Sequence, residues 1–208
     1  IDLMVVGDGI EFANLLAKKM GIKKVIPFPK FSTAHIPSRP IPIEVAAARE
    51  ESYNDDSRKP KEIVYTDLKG DLLRRDFTVN AMAMSLLPDK FGELHDPHNG
   101  VKDLMAKLLV TPLDPDETFS EDPLRMMRAA YFASGLDLRI ENECFESMKR
   151  QAKRIQIVSQ ERITTEFTKI LSTPKPSIGL KILQKVGLME FIFLEIHVMV
   201  GMDQTGEW

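Results

Sequence analysis

One stretch, residues 70–84, places five polar side chains within seven positions, and their types suit nucleotide binding. They are Arg74, Arg75, Asp76, Thr78 and Asn80. A planar guanidinium binds phosphate and ribose oxygens through paired hydrogen bonds. Helical spacing predicts one helix from this stretch to about residue 85, with Arg74, Phe77, Thr78 and Ala81 on a single stripe. An ordinary helix keeps its charges on a solvated face. The alternative to nucleotide binding is therefore a helix start with Asp76 as its cap and two arginines at the surface. That alternative suffices for a single residue of the stretch, but not for the whole string.

The stretch closely resembles the RRDFTxNA motif of the class II tRNA CCA-adding enzyme and bacterial poly(A) polymerase family. Further resemblances follow in that family's order at residues 1–9, 43–49, 121–128 and 159–171. The resemblance implies an α+β fold with a DNA-polymerase-β-like nucleotidyltransferase head, in which a mixed β-sheet packs with helices, followed by an all-α neck and the start of a body. It also implies template-independent addition of CMP and AMP to the 3′ end of tRNA, with CTP and ATP as substrates.

The resemblance assigns the metal-binding and catalytic carboxylates to Asp2 and Glu44. Phosphoryl transfer to a hydroxyl is served by two Mg²⁺ ions roughly 3.5–4 Å apart, and Mg²⁺ takes a few carboxylate oxygens together with phosphates and waters. Alternation along residues 41–46 supports Glu44, because Ile41, Ile43 and Val45 are expected on one face of a strand and Pro42, Glu44 and Ala46 on the other. Taken alone, Glu44 would be a solvent-facing strand residue.

Asp2 matches the second aspartate of the family's Asp-x-Asp pattern. The first would precede Ile1, as would the family's glycine-rich triphosphate-binding segment. We therefore expect that the sequence starts inside a strand by truncation, and that the chain as written is inactive or badly impaired.

A second motif, from Glu121 to Arg128, resembles the family's EDxLRxxR segment. Asp122 and Arg125 lie three positions apart, which predicts one shared helix face. A carboxylate offers acceptors and a guanidinium offers donors, so the pair can imitate the pairing edge of a base, and the resemblance assigns it to nucleotide selection. The alternative is a helical salt bridge of little net value.

The resemblance assigns the other nucleotide contacts to both motifs. It places Arg75 and Asp76 near the ribose or triphosphate with Asn80 beside them, and Arg128 at a phosphate or as a brace. Glu121 and Arg74 complete the candidate set, Arg74 in either role. Two further implications concern Tyr131, which replaces a basic residue common in the family, and residues 159–171, where Glu161 and Arg162 would bridge helices.

The charge distribution favours RNA as a partner in one region only. The net charge of −3 does not indicate nucleic-acid binding. Residues 145–185, however, carry nine basic against three acidic side chains, and a basic helical surface can follow a phosphate backbone. The alternative is a solvated helix face. The candidate RNA contacts are Lys149, Arg150, Lys153, Arg154 and Lys169.

Composition fits a globular chain without a membrane segment. No apolar run approaches the length of a membrane span. The single Cys144 excludes a disulfide framework and fits a cytoplasmic setting.

Hydrophobic periodicity predicts the order of elements. Strands are expected at 1–6, 24–28, 33–36 and 41–46, and a helix at 10–20 carries Phe12, Leu15, Leu16 and Met20 on one side. A polar connection with a short strand at 63–66 spans 49–68, and an acidic loop spans 114–119. Further helices are expected at 101–108, 123–134, 142–153, 159–171 and 178–186. The predicted domains are a head at 1–111, a neck at 112–177 and the start of a body at 178–208.

Two alternatives to CCA addition stay open. One is a poly(A) polymerase or an A-adding enzyme of the same family. The other, from a different class, is a non-catalytic RNA-binding module. The connection after Arg49 occupies the place of a family loop that helps the pocket switch from cytosine to adenine, which disfavours an enzyme restricted to CC addition.

Overall fold

Four short strands form a mixed sheet near the start of the chain. They are β1 (Asp2–Val5), β2 (Ile26–Phe28), β3 (Thr33–Ile36) and β4 (Ile43–Ala47), in the spatial order β1-β4-β3-β2. Strand β1 runs parallel to β4, and the other neighbours are antiparallel. The computed structural model that gives this fold describes residues 1–54 and 57–202. All four strands lie where the sequence predicts them.

Helix α1 (Gly9–Lys19) packs on one face of this sheet. Asp8 caps its first turn by accepting from the backbone N–H groups of Ile10 and Glu11. A Cβ on Gly9 would lie 2.8 Å from the backbone nitrogen of Ala47, so only glycine allows this close approach. The buried face of α1 consists of Gly9, Ala13 and Ala17, whereas the side with Phe12, Leu15 and Met20 is exposed. Small side chains let the helix lie directly on the sheet.

Two longer strands follow where the sequence analysis predicts a connection with one short strand. Strands β5 (Arg49–Asn54) and β6 (Ser57–Tyr65) pair in a two-stranded sheet, and residues 55 and 56 of the predicted connection lie outside the described residues. Helix α2 (Leu68–Leu73) comes next, with Asp67 as its N-cap.

The predicted helix through residues 74–85 is wrong. Helix α2 ends at Leu73, a single 3₁₀ turn covers Thr78–Asn80, and β7 (Ala83–Met84) pairs with β8 (Leu94–His95). The backbone leaves the helix because other partners take its hydrogen bonds. The carboxylate of Asp76 accepts from the backbone N–H of Phe77, and the N–H of Thr78 donates to the carbonyl of Val110.

The remainder of the described chain is mainly helical, with one small parallel strand pair. Its elements are α3 (Gly100–Met105), β9 (Leu108–Leu109), α4 (Pro115–Glu121), α5 (Leu124–Leu136), β10 (Arg139–Ile140), α6 (Asn142–Gln151), α7 (Gln160–Leu171), α8 (Pro176–Lys185), α9 (Leu188–Ile192) and α10 (Leu194–Val198). Helix α4 replaces the predicted acidic loop. Asp114 caps it, and Pro115 occupies its first position. The acidic side chains in its first turn interact favourably with the helix dipole.

Helix α5 is the centre of the larger core. It packs against α7 and α8, and its side chains Met126, Met127 and Ala130 are fully buried. Phe77 belongs to the same core cluster, so the second half of the motif is anchored on this helical core. Gly179 allows α8 to pack closely against α7, because a Cβ at this position would lie 2.6 Å from a methyl group of Ile170.

By contact the chain divides into two units. One comprises Ile1–Asn54 and Lys59–Arg74, and the other Asp55–Arg58 and Arg75–Trp208. The division at residues 111 and 177 stays a prediction, and residues 203–208 of the predicted body lie outside the described residues. Among the described helices, none has both the length and the apolar character needed to cross a membrane.

Candidate functional site

The first unit presents two carboxylates side by side on the sheet face opposite α1. In the parallel pairing of β1 with β4, Asp2 lies directly across from Glu44. Neighbouring strands are about 4.8 Å apart, and paired residues project from the same face. The burial pattern of β4 confirms the predicted alternation from Ile43 onward, since Ile43 and Val45 are buried and Glu44 is exposed. Ile41, predicted on the same face as Ile43, instead lies before the strand and is exposed. Both carboxylates face solvent.

These two groups fit a magnesium site. Within the described residues, no group of three histidine, cysteine, aspartate or glutamate side chains could hold a metal ion. Mg²⁺, however, is commonly held by one or two carboxylates with phosphates and waters completing its shell. A pair of exposed carboxylates in register supplies that number of protein ligands.

The second unit contains a buried carboxylate with several donors around it. Asp76 is 8% exposed. It accepts from Arg128 Nε at 2.7 Å, from Asn80 Nδ2 at 3.3 Å and from the backbone N–H of Phe77 at 2.9 Å. The Arg128 guanidinium also lies over the ring of Phe132, 5.3 Å from its centroid. Buried charges need such partners, so Asp76 orients Arg128 and Asn80.

Arg75 joins this group through the backbone of Asn80. Its Nη1 donates to the Asn80 carbonyl at 3.4 Å. Four predicted nucleotide-binding residues, Arg75, Asp76, Asn80 and Arg128, are therefore brought together from two motifs that are about fifty positions apart in the chain.

Asp122 lies between α4 and α5. The prediction that it shares a helix face with Arg125 is therefore wrong. Its backbone is extended, at φ −136° and ψ 97°. The next residue is Pro123, and the proline ring disfavours helical geometry for the residue before it. One oxygen of Asp122 accepts from the backbone N–H of Leu124 at the start of α5.

Asp122 and Arg125 are each held by a partner. Arg162 of α7 contacts both oxygens of Asp122, with Nη2–Oδ2 at 3.0 Å and Nη1–Oδ1 at 3.4 Å. Arg125, 8% exposed, donates from Nη1 to Glu121 Oε2 at 3.0 Å and to the Thr118 carbonyl at 3.2 Å. Arg162 thus joins α7 to the junction of α4 and α5, as predicted, and it contacts a predicted base-selecting side chain. Glu161, which was predicted to bridge helices as well, is exposed.

Arg74 belongs to the first unit and contacts protein groups there. Its Nη2 lies 2.5 Å from Asp71 Oδ1, and its Nε donates to the Arg49 carbonyl at 2.7 Å. Asp71 is 1% exposed. These contacts tie α2 to the start of β5, and a nucleotide contact for Arg74 stays a prediction.

Four of the five candidate RNA contacts make ion pairs or hydrogen bonds within the protein. Lys149 pairs with Glu146, Arg150 with Asp116 and Glu143, and Lys169 with Glu166, while Arg154 donates to the Ser120 carbonyl. The fifth, Lys153, is exposed. The hydroxyl of Ser147 and the guanidinium of Arg150 lower the pKa of Asp116 below its usual value. Much of the basic surface is therefore locally neutralised.

Tyr131 packs instead of presenting a charge. Its ring lies 5.1 Å from that of Phe132, and both line a cavity between α5 and α7 together with Lys169.

His35 is a neighbour of the carboxylate pair to which no sequence motif gave a role. It lies across β4 from the Asp2 position, with Nδ1 3.7 Å from Glu44 Oε1. The only available signal was its even spacing from Thr33 within β3.

Comparison with known families accounts for both halves of this arrangement. Residues 1–110 match the family described as the poly A polymerase head domain. The chain belongs to that family. Residues 137–199 match a second family, described as the probable RNA and SrmB-binding site of polymerase A. The poly A polymerase head domain thus includes Asp2, Glu44, Asp76 and Asn80, and the second match includes all five candidate RNA contacts.

The relatives that this poly A polymerase head domain matches include a CCA-adding enzyme and an A-adding tRNA nucleotidyltransferase. The chain is 35% identical over 188 residues to a CCA-adding enzyme of Anoxybacillus flavithermus, a match that covers 85% of this chain and 46% of that protein. It is 38% identical over 160 residues to an A-adding tRNA nucleotidyltransferase of Aquifex aeolicus, covering 77% and 19%. The chain therefore spans less than half the length of these relatives.

The fold is that of the polymerase-β-like nucleotidyltransferase head with its helical continuation. A crystal structure of a tRNA nucleotidyltransferase complexed with a primer tRNA and an incoming ATP analogue superposes with a TM-score of 0.79 at 31% identity. The superposition covers 92% of this chain and 53% of that one. The predicted fold class is confirmed.

Proposed function

We propose that the protein to which this chain belongs adds CMP and AMP to the 3′ end of tRNA without a nucleic-acid template, using CTP and ATP. The observation that carries the proposal is the in-register pair Asp2 and Glu44 in a head domain 35% identical to a CCA-adding enzyme. A cytoplasmic location, which the single Cys144 favours, is part of the proposal.

In this proposal Asp2 and Glu44 hold Mg²⁺. Divalent ions held there would supply activation of the attacking 3′ hydroxyl and charge neutralisation of the departing pyrophosphate. The protein would hold these two ligands on a rigid sheet. Backbone hydrogen bonds between β1 and β4 fix the spacing of the two carboxylates, and α1 supports the opposite face of the sheet.

The cluster around Asp76 binds the ribose and triphosphate in this proposal. Arg128 is oriented by Asp76 and by the ring of Phe132, so less conformational freedom is lost when it binds an anion. Arg75 and Asn80 add donors on the same segment. The guanidinium groups bind phosphate oxygens and the Asn80 amide binds a ribose hydroxyl.

Asp122 and Arg125 select the base in this proposal. Selection without a template requires acceptors and donors held at fixed positions. Arg162 holds Asp122, and Glu121 with the Thr118 carbonyl holds Arg125. The two side chains therefore present a preset pattern to the incoming base.

Incubation of the natural full-length protein with Mg²⁺, CTP, ATP and tRNA lacking its terminal CCA tests the proposal. The expected product is tRNA longer by three nucleotides, with incorporation that stops there. If neither C nor A is added, the transferase proposal fails. Retained tRNA binding in that case would identify the alternative, a non-catalytic RNA-binding module.

A second candidate, an A-adding enzyme, is favoured by the 38% identity to the A-adding tRNA nucleotidyltransferase of Aquifex aeolicus. The two candidates differ in their substrates. An A-adding enzyme extends only tRNA that already ends in CC and uses only ATP, whereas a CCA-adding enzyme also incorporates CTP on tRNA lacking all three nucleotides. Long A tails would instead indicate a poly(A) polymerase.

A further inference from the structure

Three polar side chains form one row across the face of the sheet that α1 leaves uncovered. In the pairing of β1 with β4, Asp2 lies opposite Glu44, and in the pairing of β4 with β3, Glu44 lies opposite His35. Directly paired residues project from the same face. Glu44 is therefore the middle member, with a carboxylate on one side and an imidazole on the other.

We propose that His35 is a positioning residue that orients the Glu44 carboxylate for divalent-metal binding. The inference rests on the proposed function of Glu44 as a metal ligand. His35 Nδ1 lies 3.7 Å from Glu44 Oε1. This distance is longer than a hydrogen bond, and at hydrogen-bond distance an N–H on Nδ1 would donate to the carboxylate oxygen.

The burial of the two side chains decides which one positions the other. The Glu44 side chain is 71% exposed, whereas that of His35 is 29% exposed. His35 is also flanked on its other side by Ile26 of β2, its paired residue there. A glutamate has several rotatable bonds and loses much rotamer freedom when it is fixed. The more enclosed imidazole thus restrains the mobile carboxylate.

His35 acts through Glu44 and not as a third ligand. Within the described residues, Asp2, Glu44 and His35 do not form a group that could itself hold a metal ion. Side chains that hydrogen-bond a metal ligand set its orientation and raise metal affinity, typically by about 10–100-fold. The contact here is long and partly exposed, so a smaller effect than that range, roughly 3–10-fold, is expected.

The test compares His35→Leu with His35→Asn in the natural full-length protein. Asparagine keeps a donor close to the position of Nδ1, and leucine has the same size without it. Thr33→Ala is the matched control, because Thr33 lies on the same face of β3 but opposite Ala46. Mn²⁺ binding is measured by electron paramagnetic resonance on the nucleotide-free protein. The Mg²⁺ concentration for half-maximal CMP transfer is measured at saturating CTP.

His35→Leu is expected to weaken Mn²⁺ binding and to raise the Mg²⁺ requirement by roughly 3–10-fold. His35→Asn should recover most of both losses, Thr33→Ala should show neither, and KM for CTP should stay constant. In the Glu44→Gln background, His35→Leu should add no further loss of Mn²⁺ affinity. If His35→Leu does not fold, His35→Ser, which also removes the ring, takes its place.

Unchanged Mn²⁺ affinity in His35→Leu overturns the inference. So does equal loss in the leucine and asparagine variants, which would indicate packing, or a full additional loss in the Glu44→Gln background. Failure of the parent protein to transfer CMP or AMP would reject the proposed function separately. The Mn²⁺ measurement would still decide whether His35 acts on Glu44.

Discussion

Replacement of Arg162 by methionine tests whether anchoring of Asp122 sets base choice. Methionine keeps much of the aliphatic length and removes the guanidinium, and with it the contacts at 3.0 and 3.4 Å to the two oxygens of Asp122. Asp122 keeps its hydrogen bond from Leu124, so α5 should still begin at the same residue. The substitution therefore loosens the carboxylate without removing it.

The structure sets the expected size of the effect. The Arg162 side chain is 32% exposed and that of Asp122 is 18% exposed, so the pair is neither fully solvated nor fully buried. Two charge-assisted hydrogen bonds in this setting contribute about 1–2 kcal/mol. For a chain of this size, that corresponds to a fall in Tm of roughly 2–8 °C. The same free energy, lost from base discrimination, lowers the preference for the correct nucleotide by about 5–30-fold.

The assay measures kcat/KM for each of the four nucleoside triphosphates on tRNA lacking its CCA end, together with the dissociation constant for tRNA. Lys175→Met is the matched control, because Lys175 forms an ion pair with Asp137 that is more exposed than the Arg162 pair. Arg162→Met should narrow the difference between correct and incorrect nucleotides, and Lys175→Met should not. An equal loss of kcat/KM for all four nucleotides would show that the contact of Arg162 with Asp122 does not set base choice.

Two further predictions concern stability. Gly9→Ala should destabilise the protein by about 1–3 kcal/mol, because its Cβ would lie 2.8 Å from the Ala47 nitrogen. Gly135→Ala should be neutral or stabilising, since its Cβ would meet only a methyl group at 3.5 Å. Thermal unfolding of the two variants measures the difference. Ser147→Ala should raise the pKa of Asp116 toward its usual 3.8, because the Ser147 hydroxyl is the main cause of the lowered value, and a carboxyl NMR titration measures it. A carboxyl whose pKa is lowered by folding stabilises the fold at pH values above its pKa in the unfolded chain, and this stabilisation is lost as the pH falls through the lowered pKa. The difference in unfolding free energy between wild type and variant should therefore be largest above about pH 3.8 and shrink below it. A constant difference down to pH 2 would contradict this.

The sheet was predictable because its signals are local. Alternation along residues 41–46 placed Glu44 on the face opposite Ile43 and Val45, as observed. The pairing of Asp2 with Glu44 could not follow from periodicity, since register between distant strands depends on tertiary packing. The contact of His35 with Glu44 depends on the same register.

The errors in the helical part have two different causes. Helical spacing in residues 74–85 was misleading because the Val110 carbonyl and the Asp76 carboxylate take the backbone hydrogen bonds of Thr78 and Phe77. In contrast, the break at Asp122 and the start of α4 had local signals that were misread. A residue before proline leaves the helix, and Asp114 followed by Pro115 is a typical helix start.

Glu44→Gln tests whether carboxylates on the sheet hold the divalent ions for nucleotide transfer. Glutamine keeps the size and exposure of Glu44 and removes its charge. The measured quantities are kcat for CMP transfer to tRNA lacking its CCA end and the dissociation constant for CTP. Glu11→Gln is the control, because Glu11 is an exposed carboxylate of α1, which covers the other face of the sheet.

Glu44→Gln is expected to lower kcat by about 100-fold or more, since loss of a ligand should exceed the 10–100-fold typical of its supporting contacts. CTP should still bind within a few-fold of wild type, because the proposed nucleotide contacts come from other residues. Glu11→Gln should transfer normally. Transfer by Glu44→Gln at the wild-type rate would show that Glu44 is not a ligand of the catalytic divalent ions.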